Sequence, residues 1–251
     1  MSGHSKWATT KHRKAAQDKK RAALFSKLSR MITVAAKEGG EPNPENNASL
    51  AAAVAKARSY SLPKDKIEAA IAKAFGAGEG ADFEEVVYEG YGPAGVALYI
   101  EALTDNRNRT AADVRSMFSR AGGNLGASGS VSFQFERKGQ IVVDEDPGLD
   151  EDGLLLLVAE AGGEDLVEGD SEWLVFSAPG DVMAVKTELE AEGVPVKGAE
   201  LVMEPVTTVE VPISEAKKVL NLVDALEDHD DIQNVYHTLE LTDQLAAALE
   251  E

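Results

Sequence analysis

The hydrophobic period of this chain changes once, near residue 76, and that change limits the folds open to it. Before it, apolar residues recur at three- and four-residue spacing: Leu24, Phe25, Leu28, Met31, Ile32 and Ala35, then Leu50, Val54 and Ala57, then Ile67, Ile71 and Phe75. At ~100° per residue each set falls on one arc of a helix. Gly39-Gly40 with Pro42 and Pro44 stops the first helix, which the pattern runs from Lys19 to Lys37. Asn46 and Asn47 are good caps for the second. Pro63 is expected in the first turn of the third, after Ser61-Leu62, with Gly76 past its end. Three amphipathic helices with short joints make a small bundle, and the glycine-rich stretch 76–81 reads as a linker.

Beyond the linker, apolar residues come in short blocks between turn residues, the signature of strands. Val86-Val87-Tyr88 and the stretch 96–103 flank Gly90-Tyr91-Gly92-Pro93 and predict a hairpin. Thr110 and Asp113 have capping-box spacing and predict a helix to Ala121. Residues 130–136 predict a strand with Val131, Phe133 and Phe135 on one face; Phe133 and Phe135 have the spacing of an RNA-stacking face, but alternation at period two reads more simply as a buried core face. From 139 to 204 the order is strand, helix (150–161), strand (165–168), strand (173–176), helix (181–192) and strand (201–203), the β-α-β-β-α-β order of a ferredoxin-like domain. A last β-α-β segment follows: a strand at 209–211, a helix opened by Ser214, and a strand at 232–241. It lacks partners of its own and would complete the sheet begun by the hairpin. The expected class is α+β: a basic helical domain at 1–76, a discontinuous α/β domain at 77–138 plus 205–251, and an inserted α/β domain at 139–204. Both α/β domains are expected to be ferredoxin-like.

Charge is divided along the same boundary. The net charge is −19, yet residues 1–75 hold 15 Lys/Arg against 6 Asp/Glu, and residues 76–251 hold 10 against 38. Within residues 1–37 there are 10 basic residues and one acidic, Asp18. Such asymmetry predicts a basic contact surface joined to an acidic body. Lys6, Lys11, Arg13, Lys14, Lys19, Lys20, Arg21, Lys27 and Arg30 can neutralise phosphates and release counterions. His12 stands among them, and Trp7 is placed to stack on an unpaired base. A solvated helix face with Trp7 packed on the bundle is the plainer reading of the same residues. A second candidate anion site is Asn106-Arg107-Asn108-Arg109-Thr110, just before a helix N-terminus whose free N–H groups favour an anion. Its plainer reading is a capped turn whose arginines pair with Asp105 or Asp113.

Other chemistries find little support. The chain has no cysteine, which excludes disulfides, thiolate zinc sites and a cysteine nucleophile and suits a reducing compartment. No apolar run reaches the ~18 residues of a membrane span, and the start of the chain lacks the apolar core of a signal peptide. A cytoplasmic protein is the expectation. His4, His12, His229 and His237 form no helical pair suited to a metal. The acidic run at 144–152 lacks the spacing of a calcium loop. Gly122-Gly-Asn-Leu-Gly126 follows a helix and lacks the lysine of a phosphate-binding loop. Neither an enzyme nor a cofactor or metal protein is expected.

Several motifs, in order, resemble the YebC family: Ser2-Gly3-His4-Ser5-Lys6-Trp7, Lys11-His12, Lys20-Arg21 and Phe25 near the start; Leu62-Pro63-Lys64-Asp65-Lys66-Ile67; Tyr88-Glu89-Gly90-Tyr91-Gly92-Pro93; Thr104-Asp105-Asn106-Arg107-Asn108-Arg109-Thr110; and Gly122-Gly123-Asn124-Leu125-Gly126. Lys66 and Thr10 depart from that pattern, standing where Asn and Ile are usual. The resemblance implies a helical domain and two α/β domains, one inserted in the other, and a regulator that binds DNA. Some members, including the mitochondrial translational activator of cytochrome c oxidase, act on ribosomes. DNA or RNA, with the ribosome as a candidate, are the partners so implied. The rival expectation is a ligand-sensing or protein-interaction module whose basic end docks an acidic partner, since ferredoxin-like domains host many functions.

Overall fold

The computed structural model describes residues 17–76, 83–145, 150–169 and 172–250, the side chains of 17–21 and 250 excepted. These residues form two compact units, one of residues 134–208 and one of the remainder. Among them no helix is long and apolar enough to cross a membrane.

The larger unit opens with α1 (Gln17–Gly39), α2 (Ala48–Ser59) and α3 (Lys64–Phe75). The arcs predicted from spacing are the faces buried, except for Phe75 at the end of α3, which is 46% exposed: Leu28, Ile32, Ala35 and Ala36 of α1 pack on Leu50, Ala53, Val54 and Ala57 of α2 and on Ile67 and Ala70 of α3. Asn47 ties the end of α1 to the start of α2. Its Oδ1 accepts from the Leu50 N–H at 3.1 Å, capping α2, while its Nδ2 donates to the carbonyls of Ala35 and Glu41. A Cβ on Gly39 would fall 2.1 Å from that Nδ2, so only glycine lets the amide in. Pro63 is the N-cap of α3 rather than a residue of its first turn. That exchange costs nothing, since a cap position needs no donor from it.

The same unit carries a four-stranded antiparallel sheet. β1 (Glu84–Tyr91) and β2 (Ala97–Thr104) form the predicted hairpin, with Tyr91 opposite Ala97 and Glu84 opposite Thr104. The helix α4 (Arg107–Ala121) leads to a two-residue strand β3 (Asn124–Leu125) on the free edge of β1. Gly90 lets α4 come close, because a Cβ there would lie 2.7 Å from both the Phe118 ring and the Asn124 carbonyl.

The smaller unit holds β4 (Phe135–Asp144), α5 (Glu151–Glu160), β5 (Asp165–Glu168), β6 (Glu172–Ser177), α6 (Val182–Ala191) and β7 (Val196–Pro205). Its strand order is β5-β6-β4-β7, all antiparallel. This is the ferredoxin-like arrangement. Ile141, Val143, Leu154, Val158, Val175, Val185 and Leu189 close its core between sheet and helices.

The chain then returns to the larger unit through α7 (Ile213–Glu227), β8 (Ile232–His237) and α8 (Asp243–Glu250). β8 pairs with β2, giving the order β3-β1-β2-β8, with a hairpin as the central pair. The helix α7 buries Ala216, Val219, Leu220, Val223 and Leu226.

Three local expectations give way. The helix after Asp105 is capped by Asn106, whose Oδ1 accepts from the Arg109 N–H, one turn before the predicted Thr110 cap. Thr110 is buried within the helix instead. The stretch 209–211 forms no strand but a single parallel bridge, Val209 to Leu239. Residues 132–134 form a 3-10 turn, the strand begins at Phe135, and Phe133 is 73% exposed. The cause is Glu89: its carboxylate accepts the N–H groups of Gly129, Val131 and Ser132, which a strand would have spent on a neighbour.

Candidate nucleic-acid interface

The basic segment can be followed only in part. Lys6, Trp7, Lys11, His12, Arg13 and Lys14 lie outside the described residues. Lys19, Lys20 and Arg21 fall in the first turns of α1, of which the backbone is described. Lys27 and Arg30 follow on the same helix, and both are engaged within the chain. The Lys27 ammonium donates to the Glu227 carbonyl at 2.5 Å, at the C-terminal end of α7 where the helix dipole favours a cation. The Arg30 guanidinium donates to the Asp231 carboxylate at 3.0 Å and to the carbonyls of Asp230 and Leu103, and it lies 4.8 Å over the Phe83 ring. Phosphates would have to compete for Arg30 with a carboxylate already in place.

Asp231 is the hub of this cluster. One of its oxygens takes Arg30; the other accepts from Arg109 at 2.9 Å, from Thr110 at 2.8 Å and from Thr104 at 3.1 Å. It is 4% exposed. Burial pushes its carboxyl up, but the hydrogen bonds from Arg109, Thr110 and Thr104 outweigh that and hold it below the usual aspartate range. Beside it, His229 Nδ1 accepts the Asp231 N–H, which assigns the ring proton to Nε2, 3.4 Å from Asp113. Arg30, Phe83, Asp105, Arg109 and the run 228–231 line a cleft of about 500 Å³.

The second candidate site is brought together but largely internally paired. Arg109 bonds Asp105 at 2.8 Å as well as Asp231, the capped-turn reading of the sequence. Arg107 is exposed and stands 3.6 Å from Glu84, a loose contact; Asn108 is exposed too. Asn106 is spent on the cap and Thr110 on Asp231.

Residue spacing did not single out Asp231, Glu89, Phe83 or the exposed position of Phe133. Glu89 is 4% exposed; burial raises its pKa, but the three N–H groups of Gly129, Val131 and Ser132 outweigh burial and set it below the glutamate norm. Strand alternation gives no signal for it, because Glu89 shares its face with the exposed Val87 and Tyr91 rather than with the buried Val86 and Tyr88; it is buried only because it is fully hydrogen-bonded. Among the described residues, no group of three or more His, Asp or Glu is placed to hold a metal.

Comparison with known proteins agrees with this architecture. Residues 5–77 match the sequence model described as the TACO1/YebC protein N-terminal domain, and residues 83–239 that of the TACO1/YebC second and third domain. A protein of Halothermothrix orenii is 50% identical over 253 residues, covering all of both chains. One of Bifidobacterium animalis subsp. lactis is 50% identical over 252 residues, again over the whole of both. Each is called a probable transcriptional regulatory protein. The crystal structure of a conserved hypothetical protein from Aquifex aeolicus superposes with a TM-score of 0.85 at 45% identity, covering 94% of this chain and 97% of that one.

Proposed function

The chain belongs to the TACO1/YebC family, and we propose that it is a non-enzymatic, cytoplasmic regulator of gene expression that grips nucleic-acid phosphates through its basic N-terminal segment. The observation that carries this reading is the charge division: ten basic residues and one acidic in the first 37, on a chain whose remaining body is strongly acidic. A polyanion is drawn to one end and repelled by the rest. Because Lys27 and Arg30 are engaged by α7 and the 228–231 turn, the grip is assigned to Lys6, Lys11, Arg13, Lys14, Lys19, Lys20 and Arg21, with His12 and Trp7 among them.

The names of the bacterial relatives favour transcription, and DNA as target. The charge layout favours a ribosome, where RNA and basic proteins lie side by side and the acidic body has a surface to meet. We rank ribosomal RNA first on that ground. Replacing Lys11, Lys14, Lys20 and Arg21 together by Glu should abolish binding to RNA and DNA with the fold retained by circular dichroism. Sedimentation of the native protein from a lysate then separates the targets, with ribosomes or with chromosomal DNA at moderate salt. Wild-type affinity in the fourfold variant would refute the grip.

A further inference from the structure

Within the acidic body one stretch stands apart. From Val114 to Phe135 there is no aspartate or glutamate, while the body as a whole holds 38. Its two cations, Arg115 and Arg120, are exposed on α4 and have no ion-pair partner among the described residues. The stretch runs from the middle of α4 along the edge of β1 and carries near its end Phe133, which at 73% exposure is the most exposed large apolar residue among those described.

The tip that carries Phe133 is rigidly held. Glu89 takes the N–H groups of Gly129, Val131 and Ser132 at 2.7–2.8 Å. The Glu89 carbonyl accepts from Gly126 at 2.8 Å, and the Tyr91 hydroxyl donates to the Ser130 carbonyl at 2.9 Å. Val131 is fully buried beneath it. A buried carboxylate thus fixes the backbone that leads directly into a residue whose ring is exposed to water. Between β3 and Val131 the exposed positions are small: Gly126, Ala127, Ser128 and Gly129. Close approach of a sugar-phosphate chain meets neither bulk nor negative charge there.

We propose that Phe133 is a stacking platform for an unpaired nucleobase, with Arg115 and Arg120 drawing the strand to an otherwise repellent body. The proposal rests on the nucleic-acid reading above and adds a second point of contact to it. A ring carried on a fixed backbone loses less freedom when a base stacks on it, and every base offers a π-face, so the contact is sequence-tolerant. A basic protein partner would be matched to the acidic surface instead; this acid-free strip offers it no complementary charge.

The test uses the full chain and its Phe133→Ala and Phe133→Trp variants. Probes are a mixed-sequence single-stranded RNA carrying 2-aminopurine, the DNA of the same sequence, and the matching duplex. Affinity for single strands should fall about tenfold in Phe133→Ala and be kept in Phe133→Trp, with duplex affinity and salt slope unchanged because no charge is lost. Quenching of 2-aminopurine should vanish with the ring. Equal loss with RNA and DNA, or a larger one with RNA, both support stacking; the second adds a contact to the 2′-hydroxyl. If wild type and Phe133→Ala bind single strands alike, this inference falls while the phosphate grip stands. Should the Ala variant keep RNA but lose sedimentation with ribosomes, the ring serves a protein contact and the inference is again overturned. A wild-type chain that binds no probe overturns both readings.

Discussion

Replacing Asp231 by alanine removes the acceptor shared by Arg30, Arg109, Thr104 and Thr110. Arg109 is half-exposed and keeps Asp105, so it turns to water at little loss. Arg30 is less free: its side chain is 21% exposed, though it keeps two backbone carbonyls. The two threonine hydroxyls are buried and retain each other at 2.8 Å. Breaking a buried, charge-assisted network by removing one partner costs about 3–5 kcal/mol. The remaining partners of both arginines argue for the lower end, about 3 kcal/mol. Urea unfolding at neutral pH measures it. The sign of the pH dependence follows from the lowered pKa: the contribution is complete above the unfolded-state aspartate value and fades as pH falls through the folded one. Wild type should therefore lose stability steeply below about pH 4, and Asp231→Ala should lose less over the same interval. A cost under about 1 kcal/mol, the level of a surface pair, together with an unchanged acid limb, would refute the hub.

Further outcomes follow from single contacts. Glu89→Gln should cost about 2 kcal/mol, because an amide N–H₂ takes the place either of Oε1, which accepts from Gly129, or of Oε2, which accepts from Val131 and Ser132, and then faces those donors; amide exchange at Gly129, Val131 and Ser132 should accelerate. Gly90→Ala should destabilise by about 1–3 kcal/mol through overpacking against Phe118, read as a lowered midpoint in urea. Asn47→Ala should cost about 1–2 kcal/mol, from the lost α2 cap and the freed Ala35 carbonyl, and should leave the 134–208 unit unaffected by exchange measurements.

Legibility in the sequence tracked the range of the forces involved. The three helices of the bundle were readable because Leu28, Ile32, Leu50, Val54 and Ile67 repeat at helical spacing, and burial follows that spacing directly. The smaller unit was readable because element order sets strand order in a ferredoxin-like layer. Phe133 was misjudged because Val131, Phe133 and Phe135 alternate as a strand would, while Glu89, some 40 residues earlier, takes the N–H groups the strand needed. The turn 228–231 holds three aspartates alike in sequence, and the choice of Asp231 for burial is made by arginines 122 and 201 residues away. Thr110 has the spacing of a cap, but Thr104 accepts the Asn106 N–H and seats Asn106 a turn earlier. Local pattern carries local structure; the polar clusters are decided by partners distant along the chain.

The central claim is that the cationic segment binds phosphates, and the salt dependence of affinity tests it most directly. With Lys6, Lys11, Arg13, Lys14, Lys19, Lys20 and Arg21 each meeting one phosphate, log Kd plotted against log salt should rise with a slope of about 5 on single-stranded RNA and about 6 on duplex DNA. A slope near zero on both, at any affinity, would contradict the account.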